Sequence, residues 1–186
     1  MRLRVRVWFA GAGLGIAAGA VLLLTEVAAA LWLGTDPERP VRRLGSVALG
    51  PVALERTGLA LAAAVGLSVH LALSAVFGAV YAALADAMLS QLGRRSFVAQ
   101  TLFGALYGVG LWAATFQGVA RAVFPWVFEP HPLTHALLHG FAYGAPLGLL
   151  LAAMERAHFT VVETPSQARA RRERERRSGA EAETRR

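Results

Sequence analysis

The chain has 186 residues, 55% of them hydrophobic, a formal charge of +7 and no cysteine. The lack of cysteine excludes disulfides, thiol nucleophiles, lipoprotein anchors and iron–sulfur ligation. So apolar a chain is not an ordinary soluble domain, and its distribution of charge says why.

Between Arg6 and Asp36 the single formal charge is Glu26, and none lies between Arg56 and Asp86, Arg95 and Arg121, or Glu129 and Glu155. Each of these blocks exceeds the roughly 20 residues needed to cross a hydrocarbon core. None carries the polar face that a soluble helix of that length would show. The pattern predicts an all-α, polytopic integral membrane protein: a four-transmembrane-helix bundle over residues 1–158, with helices at about 7–33, 58–85, 97–124 and 132–154. Residues 159–186 form an Arg/Glu-rich tail, disordered or loosely helical.

All 19 basic residues are Arg. With the N-terminus inside, fourteen Arg fall in cytoplasmic segments and five in external ones, so the positive-inside bias puts both termini in the cytoplasm. A bacterial inner (cytoplasmic) membrane is the expected location.

In helix one, Gly11, Gly15 and Gly19 make a small-xxx-small series, a glycine zipper that lets another helix approach closely. Glu26 falls on the same face, turned toward whatever packs on the glycines. The basic-then-apolar start resembles a signal peptide, but the apolar stretch outruns the roughly 7–15 residues of an h-region, so retention is expected. From Gly34 to Thr57 lies an external loop with Asp-Pro, Arg-Pro and Gly-Pro breakers. Its second half, Val41 to Leu54, reads equally well as a short interfacial helix or a plain connector.

Helix two places Gly66, His70, Ser74, Phe77, Gly78 and Tyr81 on one face, with His70 near mid-span. An ionisable group there normally faces the bundle interior. It is either a neutral imidazole bonded to a neighbouring oxygen or a ligand- or proton-carrying group. Helix three offers Gly104 and Gly108 as a packing face, extended by Thr115 and Gly118. Gln117 and Arg121 share another side; Arg121 either snorkels to the outer headgroups or pairs inward with Glu26.

Helix four carries His135, His139 and Tyr143 at four-residue steps, with His131 one step earlier. Four residues bring a helix back to nearly the same side, so these form one stripe. Gly140, Gly144 and Gly148 run beside it as a smooth edge. Pro132 suits a first turn, whereas Pro146 should kink the helix or free a carbonyl. "HLALS" at 70–74 echoes "HALLH" at 135–139, in keeping with a faint duplication of a glycine-rich helix followed by a His-bearing one. The tail reads RARRERERR from Arg169 to Arg177, a run suited to anionic lipid; no aromatic residue is interleaved to favour nucleic acid.

With this topology Glu26, Gln117, Arg121, His135 and His139 lie in the outer halves of their helices and His70 near the midplane. Together with Ser74 and Tyr143 they predict one outward-facing polar pocket. Three chemistries suit it. The first is a proton or small-solute site. The second is a histidine-ligated metal or haem site using His135, His139 and His70. The third is a purely structural set of interhelical hydrogen bonds, with the chain serving as a membrane scaffold. No catalytic motif is present and no enzymatic activity or resident cofactor is expected. Beyond the lipid bilayer, the glycine faces serve the bundle or a homo-oligomer equally well.

His70-x3-Ser74-x2-Phe77-Gly78-x2-Tyr81 resembles the second helix of the YagU-like inner-membrane proteins. The small-residue first helix with its late acid, Phe103-Gly104, Phe124-Pro125 and His139-Gly-x2-Tyr143-Gly-x3-Gly148 are similar to related families of uncharacterised bacterial membrane proteins. The resemblance covers about residues 7–155. It implies an inner-membrane four-helix protein and no particular reaction.

Overall fold

The computed structural model describes residues 2–89, 96–127 and 132–161, and within these the side chains from 8 to 157. Every regular element among them is helical. In chain order these are α1 (Arg2–Trp32), α2 (Arg39–Leu49), α3 (Leu59–Met88), α4 (Phe97–Val123) and α5 (residues 132–161). Short 3-10 turns follow α2 (Pro51–Leu54) and α4 (Pro125–Val127). α1, α3, α4 and α5 each contain an apolar stretch of 25 to 30 residues, long enough to cross a membrane. They match the four blocks read from the sequence.

The two compact units are Met1–Ala152 and Ala153–Arg186, and the packing described here lies within the first. Glu129, His131 and the arginine run from Arg169 fall outside the described residues.

Backbone approach at glycine organises the bundle twice over. α1 and α3 run antiparallel, with Gly11 against Gly78 and Ala82, Gly15 against Ser74 and Gly78, and Gly19 against Ser74 and His70. α4 and α5 repeat the arrangement: Gly104 lies on Gly144 and Gly148, and Gly108 lies on His139 and Gly140. A methyl group at Gly15 would be driven into the Ser74 carbonyl oxygen, and one at Gly144 into that of Gly104. Small residues are what allow two helix backbones to come this close.

The loop after α1 resolves in favour of a helix. Pro40 sits in the first turn of α2, where a missing N–H costs nothing. Gly50, with φ of +77°, breaks it before the 3-10 turn, as a residue without Cβ readily can. α2 folds back on α3, where Gly45 and Gly66 meet backbone to backbone. Arg42 pins it there: its guanidinium pairs with Glu38 at 3.0 Å and donates to the Thr57 carbonyl at 2.7 Å.

Two stretches depart from α-geometry. Residues Ala113–Ala120 of α4 and His139–Gly144 of α5 wind as π-helix, with i→i+5 hydrogen bonds. The second ends two residues before Pro146, whose ring crowds the carbonyl four residues earlier; a widened turn relieves that clash. The first has no proline to explain it. Its consequence is a correction. Gly118, expected to extend the Gly104–Gly108 packing face, looks onto open space. Each wide turn delays the rotation by about one residue, roughly 100°, so α-periodicity fails beyond it.

Candidate functional site

All five helices contribute to a cavity of about 540 Å³ at the end of the bundle that carries α2. Its walls are mostly aliphatic and aromatic, and the polar groups among them come from different elements. α1 supplies Glu26, α2 supplies Arg43, α3 supplies His70 and Ser74, and α5 supplies His135, His139 and Tyr143. Both π segments line it, one through Thr115 and Phe116 and the other through His139 and Tyr143. Such wide turns recur at functional sites.

The charged end is built by Glu26, His135 and Arg43. The Glu26 carboxylate stands 3.9 Å from His135 Nδ1, with side-chain exposures of 15% and 16%, so neither group is freely solvated. Burial draws the Arg43 guanidinium below its ordinary proton affinity, while Glu26 opposes that shift and Arg39 adds to it. An arginine so placed stays protonated and brings a fixed positive charge to the roof of the cavity.

The other two histidines are oriented by backbone. His70 Nε2 lies 2.8 Å from the Gly19 carbonyl of α1, and His139 Nδ1 lies 2.9 Å from the His135 carbonyl one turn before it. A carbonyl oxygen only accepts, so each of these nitrogens must carry a proton. In the neutral rings the partner nitrogens, His70 Nδ1 and His139 Nε2, are then acceptors. The Phe116 and His139 rings meet in a T-shaped arrangement, with centroids 5.2 Å apart at 73°. Three tyrosines tie the helices around the site. Tyr143 donates to the Ser74 carbonyl at 3.0 Å, Tyr107 to that of Phe77 at 2.8 Å, and Tyr81 to that of Gln100 at 2.9 Å.

Of the residues singled out from sequence, Glu26, His70, Ser74, His135, His139 and Tyr143 all line this one cavity. The glycine edge of α5, Gly140, Gly144 and Gly148, lies against α4. Gln117 and Arg121 are not part of the lining; Gln117 is half-buried and Arg121 is exposed. The basic group that reaches Glu26 is Arg43, from the amphipathic loop helix. The reason lies in the π segment, which turns the end of α4 out of its expected register. Arg43 did carry a signal: it shares a three-to-four-residue stripe with the apolar Pro40, Leu44 and Val47.

Among the described residues no group of three or more His, Asp or Glu is arranged to hold a metal ion. The trio His135, His139 and His70 is not such a group. The chain matches no family model, no curated protein and no solved structure.

Proposed function

We propose that this is a non-enzymatic, multi-pass protein of a bacterial inner membrane, with both termini cytoplasmic and its cavity toward the outside. The cavity serves as a proton or small-solute site. The observation that carries this is the convergence of Glu26, Arg43, His70, His135 and His139 from four different helices on one space of about 540 Å³. That volume falls within the roughly 300–1,000 Å³ usual for small-molecule sites. Ionisable groups inside an apolar bundle are costly, and function is the commonest reason for keeping them.

The purely structural alternative draws on a different observation, the His70–Gly19 hydrogen bond that ties α1 to α3. Proteoliposomes with a trapped pH dye distinguish the two. Glu26→Gln and His70→Ala should each change the response to an external acid pulse while leaving helix content and elution profile unchanged. A normal response, or variants that merely lose their fold, would favour the structural reading.

A further inference from the structure

The cavity has an unusual wall. Leu73 of α3 and Val119 of α4 both line it, yet they are 44% and 55% exposed. One belongs to α3 and the other to the π segment of α4, the two helices that flank this side of the cavity. From Phe77 onward along α3 the seam between these helices is closed, by Tyr107 bonding to Phe77 beside the cavity and by Tyr81 bonding to Gln100 beyond it. α3 packs on the Phe97–Trp112 part of α4 more closely than on Ala113–Ala120. In a membrane, a gap between two spanning helices faced with Leu and Val opens onto hydrocarbon, so what passes through it comes dissolved in lipid.

The polar groups inside define what the head of such a molecule must be. His70 and His139 have given one N–H each to backbone carbonyls, and a ring in its neutral form retains an acceptor nitrogen. Glu26 adds carboxylate oxygens. A ligand satisfying these must donate hydrogen bonds. A cationic head would meet Arg43 in the same space, and an anionic head would meet Glu26. An uncharged hydroxyl donates without either conflict.

We propose that the cavity takes up a membrane-dissolved, hydroxyl-headed amphiphile, an alcohol or phenol with an apolar tail, through the lateral opening between Leu73 and Val119. The proposal rests on the cavity being a ligand site, and it names the ligand's class and route. The tail lies against Leu73, Phe77, Leu111 and Val119, and the hydroxyl reaches the histidines and Glu26.

The test uses the full chain in phosphatidylcholine nanodiscs with radiolabelled farnesol as the probe. Binding should be saturable, and the corresponding amine and carboxylic acid should compete about tenfold more weakly or worse. Val119→Trp should block the opening and lower binding about tenfold, whereas Leu106→Trp, at an exposed position of α4 outside the cavity, should leave it intact. Leu73→Trp repeats the test from the other side if Val119→Trp folds poorly. Non-saturable binding, or binding indifferent to both blocking variants, overturns the lateral route. Tighter binding of the amine or the acid overturns the hydroxyl head. If no probe binds but Glu26→Gln still alters the acid-pulse response, the lipid ligand falls and the proton site stands; if neither responds, both fall.

Discussion

Tyr143 shows how much a single polar contact contributes in this bundle. Its hydroxyl donates to the Ser74 carbonyl, which is also committed within α3, so removing the hydroxyl leaves no unsatisfied acceptor. Tyr143→Phe should therefore lower stability by only about 0.6 kcal/mol, the usual worth of an interhelical hydrogen bond in a membrane. Thermal unfolding in detergent would register a small shift of midpoint. Glu26 is a different case, because its neighbours His135 and Arg43 come from two other elements. Glu26→Ala should destabilise more than Glu26→Gln, since the amide preserves volume and hydrogen bonding while the methyl leaves a void beside a half-buried guanidinium. Equal midpoints for the two variants would show that the carboxylate site contributes nothing to packing.

Helices α1 and α3 depend on glycine at specific positions and not on glycine in general. Gly15→Ala forces a methyl into the Ser74 carbonyl and should cost about 1–3 kcal/mol as overpacking. Gly13, two residues away, looks onto open space, so Gly13→Ala should be neutral or stabilise by up to about 1 kcal/mol. Chemical unfolding of the pair checks both signs at once. The amphipathic α2 offers another test, helped by a chain without cysteine, in which any introduced thiol is unique. Leu44→Cys lies on the cavity wall and should react with a water-soluble maleimide more slowly than Ala48→Cys, which is exposed. Adding Arg42→Ala removes the Glu38 pair and the bond to Thr57; the roof should loosen and the two labelling rates converge.

For the whole molecule, the arginine distribution makes a single topological prediction. Reporter fusions after Thr35 should read external and fusions after Met154 cytoplasmic; a cytoplasmic signal at Thr35 would invert the orientation of the cavity. The four long apolar helices, the glycine faces of α1 and α5 and the His135–His139–Tyr143 stripe were legible in the sequence alone. The apolar helices and the α1 glycine face depend on apolar content and local 3.6-residue periodicity; the α5 residues were placed by the same period although His139–Gly144 winds as π-helix. Legible too was the convergence of Glu26 with the histidines, because antiparallel helices of similar length bring equal depths together. What only the tertiary structure decided is which cation joins them and where the wall opens. A π-helical turn leaves no mark in composition, yet it swings Gln117, Gly118 and Arg121 out of phase with the helix before them. α2 reaches the cavity because a loop closes and Gly45 fits against Gly66, a long-range contact that no local pattern contains. Those two events replaced Arg121 with Arg43 beside Glu26 and left the seam between Leu73 and Val119 open.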